Sequence, residues 1–162
     1  MLLVQRLDGQ LHERGAFDCG ESTLNLYLRE LAAQHQRSGI ATTHVLIEDD
    51  APSHILGYYT LAAAQMLLGD LQPADRRRLP RYPLPVARLA RLAVSRHEHS
   101  HGLGESLLQH AVKRCLELRG ELGVHGVLVD ALHAHAAGFY RAHGFRETSG
   151  NALTLYLPLG NR

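Results

Sequence analysis

The sequence predicts an α+β fold in which helices flank a central mixed sheet. Three observations lead there. Thr42–Glu48 and His54–Met66 are strand-like runs separated by a short turn, so they pair as a hairpin. In the second half, helical stretches alternate with strand-like runs, the pattern of a crossover. The turns between the middle strands are too short for a doubly wound parallel sheet. With 162 residues, 45% of them hydrophobic and 20% charged, the chain can bury a core of its own, and residues 1–162 are read as a single domain.

The elements follow in order. Leu2 to Leu7 alternates loosely and reads as an opening strand. Phe17 to Ser22 is turn-like, with Ser22 as the expected N-cap of a helix whose Leu24, Leu28 and Leu31 recur at helical spacing. Ser38-Gly39 ends that helix, and the hairpin comes next; Tyr58, Tyr59 and Thr60 favour its second strand. Leu67 to Pro85 holds four of the six prolines and the run Arg76-Arg77-Arg78, with Arg81 nearby; it reads as a surface excursion with one short helical turn. Val86 to Val94 is a strand and Arg96 to His101 a polar loop. Gly102 opens a long helix with the apolar stripe Leu103, Leu107, Ala111, Cys115 and Leu118, stopped by Gly123. Val124 to Leu132 is a buried strand, His133 to His143 a short helix, and Phe145 begins one terminal strand through Leu157.

The formal net charge of +1 gives no global basic field, so any contact with nucleic acid must come from local clustering. Two cysteines do not make a disulfide scaffold and suit a reducing compartment. The start of the chain lacks the basic and apolar regions of a signal peptide. The longest apolar stretch, near Leu61 to Leu68, contains Gln65 and is too short to span a bilayer. A cytoplasmic protein without membrane contact is expected.

The strongest local feature runs from Arg91 to Leu108, where a strand ends near Val94, a loop follows and Gly-Leu-Gly opens a helix. A helix start carries unpaired N–H groups and partial positive charge, and glycines let the backbone approach an anion; such a loop can cradle a pyrophosphate. It lacks the third glycine of a dinucleotide fingerprint and the Gly-Lys-Ser/Thr of a Walker loop. His99-Ser100-His101-Gly102-Leu103-Gly104 resembles the R/Q-x-x-G-x-G/A motif of the GNAT N-acetyltransferases, with His99 where Arg or Gln is usual and His101 where a basic residue is common. A second block, Ala136 to Phe145, resembles the family's A-x-x-F-Y-x-x-x-G-F, with His133 where many members carry Asn.

A third block narrows the resemblance. Phe17-Asp18-Cys19-Gly20 with Leu24-Asn25 resembles the opening of GNAT toxins of type II toxin–antitoxin pairs, as do Gly57 to Leu61 and Pro83 to Val94. The resemblance implies a mostly antiparallel mixed sheet with splayed strands at the cofactor site. It implies acetyl-CoA held by Leu92, Ala93, Val94, His99, Ser100, His101, Gly102, Leu103, Gly104, Glu105, Ser106, His133 and Phe139. Tyr140 takes the place of the family's general acid. The implied reaction acetylates the α-amino group of aminoacyl-tRNA and blocks translation, and a ribbon-helix-helix antitoxin neutralises the enzyme; a homodimer fits the same family. A small amine, a protein N-terminus, or a non-catalytic acetyl-CoA-binding regulator are the alternatives.

Arg76, Arg77, Arg78 and Arg81 form a local basic patch suited to phosphates, and with Arg91 they are the expected tRNA contacts. Arg88 and Arg91 are three apart in a strand and are expected on opposite faces. His97-Glu98-His99-Ser100-His101 matches H-E-x-x-H literally, yet it follows a strand directly and precedes Gly102, so a loop is expected and no metal. Cys19 and Cys115 read as buried structural thiols.

Overall fold

The computed structural model describes residues 1–99 and 101–160. Its strands are β1 (Leu2–Arg6), β2 (Thr42–Glu48), β3 (Gly57–Met66), β4 (Leu84–Val94), β5 (Gly126–Asp130), β6 (Arg146–Thr148) and β7 (Asn151–Pro158). Its helices are α1 (Ser22–Leu26), α2 (Ala32–Arg37), α3 (Leu103–Leu118) and α4 (Ala134–Ala142). The sheet order is β1-β2-β3-β4-β5-β7-β6. The pairs β1–β2, β2–β3, β5–β7 and β6–β7 are antiparallel, and β4–β5 is parallel. This is the mixed, mostly antiparallel sheet that the sequence predicts. The parallel register runs from Val86↔Gly126 to Leu89↔Val129, whereas β4 continues to Val94.

Two compact units share the strands. The first comprises Met1–Ala62 and Ala90–Ala111. Its core joins Leu7, Phe17, Tyr27, Leu28, Val45, Ile47, Ile55, Tyr58 and Ala93. The turn before α1 is closed by side chains: Asn25 Oδ1 accepts from the Cys19 amide, and Asp18 Oδ1 accepts from the Gly20 amide and from Asn25 Nδ2, each at 2.9 Å. The Gly20 amide foremost, then Asn25 and Arg96, hold the Asp18 carboxyl below the usual carboxylate range. The Asp18 carbonyl in turn accepts from the Arg96 amide at 2.9 Å, which ties this turn to the loop after β4.

The N-cap of α1 is Glu21, whose side chain makes no cap bond, and Ser22 is already helical. The expected Ser22 cap is therefore corrected; the Asp18–Asn25 bonds close the chain entry instead. Between α1 and α2 the helix widens into a π turn over Tyr27–Leu31. Such a turn inserts a residue and shifts the helix face. Tyr27 and Leu28 are buried there, while Leu31 is exposed. Gly39 ends the segment with φ +73, a conformation that favours glycine.

The second unit comprises Ala63–Leu89 and Val112–Arg162, described to residue 160. Its core includes Met66, Leu71, Leu84, Val86, Leu128 and Tyr156. The excursion between β3 and β4 holds two 3₁₀ turns, Leu68–Asp70 and Pro73–Asp75, where the sequence suggested one helical turn. The terminal strand is also corrected: it is the hairpin β6–β7, broken at Ser149-Gly150, with Gly150 at φ +101. Ser149-Gly150-Asn151 is a turn signal in the sequence, and reading one strand from Phe145 to Leu157 passes over it. In α3 the stripe is buried from Leu103 through Leu107, Ala111 and Cys115, and its last member, Leu118, is 37% exposed. Both cysteines are free and buried.

Gly57 sits where β3, β4 and α3 converge. A Cβ there would lie 2.8 Å from the Ala93 carbonyl oxygen and 2.8 Å from Leu107 Cδ1. Backbone and a fully buried leucine leave little room to yield. Gly57→Ala is expected to lower unfolding stability by roughly 1–3 kcal/mol. A urea titration checks this: the midpoint falls at an unchanged slope. An unmoved midpoint would show that the junction relaxes freely.

Candidate active site and basic excursion

In the first unit, β4 delivers its last residues into a short loop and then into α3. Leu92 and Val94 are half-buried, and Ala93 is buried against the core. Ser95 donates its amide to the Leu56 carbonyl at 2.8 Å, which anchors the strand end. Arg96–Glu98 forms a 3₁₀ turn, and His99 is extended. His97 and Glu98 thus lie in a 3₁₀ turn and His99 in extended chain, so these residues of the H-E-x-x-H string are not on an α-helix. His99 Nε2 donates to the Val94 carbonyl at 2.9 Å, folding the loop back on the strand end. His101 Nδ1 lies 2.9 Å from Glu98 Oε2. Ser100 lies outside the described residues.

Gly102 takes φ +74, and a Cβ there would meet nothing within 4 Å. The left-handed backbone explains a glycine at this entry, and the open space beside it leaves the backbone accessible. Leu103 is buried and pins the first turn, Gly104 is half-buried, and Glu105 and Ser106 are exposed. Ser106 returns both its amide and its hydroxyl to the Gly102 carbonyl at 3.2 Å. The amides before it lie in the first turn of a 16-residue helix, where intrahelical acceptors run out. A helix start of this kind offers its leading amides and a partial positive charge to an anion such as a pyrophosphate, and space beside Gly102 is open among the described residues.

In the second unit, α4 carries the remaining residues. His133 is its N-cap, and His133 Nδ1 accepts from the Ala136 amide at 3.2 Å. Phe139 is half-buried, with its ring 5.2 Å from Tyr140 and 4.6 Å from His143. Tyr140 is 6% exposed and packs edge-on against Phe145 at 5.5 Å. Burial pushes its phenol well above the ordinary range, so it stays protonated through neutral pH.

The arginines separate by what they touch. Arg76 folds inward, donating from Nε to the Leu71 carbonyl at 2.9 Å and from Nη2 to the Gly69 carbonyl at 3.2 Å. Arg91 is half-buried, with its guanidinium carbon 3.6 Å from the Tyr27 ring centroid. Arg88 pairs with Asp130. Arg77, Arg78 and Arg81 are exposed, and Arg78 adopts φ +62. Of the five arginines that the sequence offers as tRNA contacts, Arg76 and Arg91 are engaged within the protein, which sequence reasoning missed. Nothing local signals either engagement. It also missed Gly57 and the Asp18–Arg96 tie, which support the loop from positions remote in sequence.

Residues 41–147 match the acetyltransferase (GNAT) domain. A tRNA-acetylating toxin of Mycobacterium tuberculosis (strain ATCC 25618 / H37Rv) is 35% identical over 142 residues, 88% of this chain and 83% of that protein. The solved structure of AtaT complexed with acetyl-methionyl-tRNAfMet is 29% identical, with TM-score 0.91 over 98% of this chain and 95% of its own. A tyrosine-to-phenylalanine mutant of the AtaT toxin, bound to the C-terminus of the antitoxin AtaR and acetyl-CoA, is 28% identical, with TM-score 0.82 over 97% of this chain and 92% of its own. The chain belongs to the GNAT acetyltransferases.

Gly104→Asp tests the loop. An acidic side chain suits the first turn of a helix, so the fold is expected to persist. Its charge opposes a pyrophosphate at the same amides. Acetyl-CoA affinity by calorimetry is expected to fall at least about tenfold, about 1.4 kcal/mol; unchanged affinity would place the cofactor elsewhere.

Proposed function

We propose that this chain transfers the acetyl group of acetyl-CoA to the α-amino group of aminoacyl-tRNA, and so blocks translation in the cytoplasm. An antitoxin of the ribbon-helix-helix kind neutralises it, and the active form is a homodimer. The observation that carries the substrate class is the excursion: Arg77, Arg78 and Arg81 stand exposed on a chain whose net charge is only +1. The similarity to a tRNA-acetylating toxin and to AtaT with its tRNA product supports the same reading.

Acetyl-CoA supplies an acetyl thioester, from which the acetyl group passes to the amine and the thiol departs. The loop residues His99 to Ser106 hold the pyrophosphate through the amides of Gly102, Leu103 and Gly104. Leu92, Ala93 and Val94 offer the strand edge beyond Leu89↔Val129 to the rest of the cofactor, with a backbone N–H near Val94 as the oxyanion donor. Phe139 and His133 complete the set from α4. An α-amino group has a pKa of about 7.7–8.0, so a useful fraction is neutral at pH 7 and the chain needs no strongly basic side chain. Tyr140 is protonated and gives its proton to the departing sulfur, while water takes the proton that the acetylated amine releases and returns one to the phenol. Arg77, Arg78 and Arg81, joined by Arg76 and Arg91 where substrate displaces their internal partners, bind tRNA phosphates.

The direct test is incubation with acetyl-CoA and charged tRNA, followed by detection of acetyl-aminoacyl-tRNA. Product from a small amine but none from charged tRNA would overturn the reading. Tyr140→Phe is expected to slow transfer roughly 10²–10⁴-fold with acetyl-CoA affinity kept; an undiminished rate would remove the general-acid role.

The excursion makes a separate prediction. Replacing Arg77 and Arg78 together by Ala is expected to raise the KM for charged tRNA and leave acetyl-CoA affinity unmoved. The log–log salt slope should fall by up to about 0.9 for each phosphate that is no longer neutralised. A slope and KM equal to wild type would leave those arginines as solvated surface.

A further inference from the structure

We propose that Asp75, Tyr156 and Arg146 form a clamp that positions the arginine run of the excursion and keeps its charges available to the phosphate-bearing substrate. The proposal rests on the reading of that run as a tRNA contact. The Asp75 carboxylate is the meeting point: Oδ1 accepts from Arg146 Nη1, and Oδ2 accepts from the Tyr156 hydroxyl. The Asp75 side chain is only 13% exposed and Tyr156 is 1% exposed, so the bond between them is shielded from water, while Arg146, 51% exposed, closes the pair from the solvent side. Burial alone would raise the Asp75 carboxyl, but its bonds to Arg146 and Tyr156 bring it below the ordinary range.

The clamp reaches back along the excursion. The Tyr156 oxygen accepts from the Gln72 amide at 2.8 Å, and Gln72 Nε2 donates to the Glu147 carbonyl at 2.9 Å. The Ser149 amide donates to the Asp70 carbonyl at 2.9 Å. Leu71 is fully buried, and Arg76 folds inward onto the carbonyls of Leu71 and Gly69. Everything up to Arg76 is thereby fastened to the hairpin β6–β7 and to the core beneath it. At Arg77 the chain turns outward, and the exposed arginines begin.

Electrostatics give the clamp a second consequence. The run reads Asp75-Arg76-Arg77-Arg78, and a carboxylate left unpaired beside it would offset one of the charges of the run. Arg146, from a distant strand, takes that carboxylate instead. The loop is held, and its cations face solvent.

The test is steady-state acetylation of charged tRNA by the whole chain at saturating acetyl-CoA. Asp75→Ala is expected to raise the tRNA KM at least about threefold, with kcat within about twofold and acetyl-CoA affinity unchanged. Tyr156→Phe removes one hydroxyl from an otherwise intact core and is expected to shift KM in the same direction. In a background already lacking the Arg77 and Arg78 side chains, either substitution should add less than about twofold, because it acts through them. A wild-type KM in folded Asp75→Ala or Tyr156→Phe, beside a raised KM in the arginine variant, overturns the clamp alone. So does an equal factor in both backgrounds. If the arginine variant itself keeps the wild-type KM, the tRNA reading of the run fails and the clamp with it.

Discussion

At Gly57 the backbone of one strand, the carbonyl of the next and a helix side chain come too close for even a methyl group. The loop of the first unit depends on that contact. It fixes how closely α3 packs against the end of β4. The chain then enters α3 through Gly102 at positive φ. Asp18 secures the same stretch from the opposite direction through the Arg96 amide and side chain. The loop before α3 is thus supported by packing at one glycine and by a turn from the start of the chain.

Charge in this protein is organised by pairing more than by composition. Arg88, Arg96, Arg141 and Arg146 each meet a carboxylate, and Arg91 lies over an aromatic ring. Exposed pairs of this kind add little stability, so their value lies in where they hold the chain. Asp75–Arg146 differs because its acid is shielded and shared with a buried tyrosine. Against this largely compensated background, three exposed arginines in one loop stand out as a local field.

Much of the architecture was legible because its signals are local. Hairpin spacing gave β2–β3, and the glycines with the apolar stripe marked the start and inner face of α3. The motif around Phe139 and Tyr140 was readable as a helix for the same reason. What escaped detection depends on long-range partners. Ser22 looks like a cap until Asp18 and Asn25 are seen to close the same turn. The π turn at Tyr27–Leu31 has no compositional mark, whereas the β6–β7 turn is marked by Ser149-Gly150-Asn151, which a reading of one long strand passes over. Asp75 and Arg146 are 71 positions apart, and neither announces the other. Four adjacent or near-adjacent arginines looked equivalent in sequence; the backbone carbonyls of Leu71 and Gly69 set Arg76 apart.

Arg78 occupies a backbone conformation that suits glycine, at φ +62. Left-handed geometry costs a side-chain-bearing residue about 1–2 kcal/mol. A redesign guided by thermal stability would therefore write glycine at this position and register an improvement. It would also erase a positive charge from the tip of the excursion. Tolerance to heat and local positive charge are set against each other at this one residue, so selecting variants for robustness alone would drift toward a sturdier chain with a weaker basic patch.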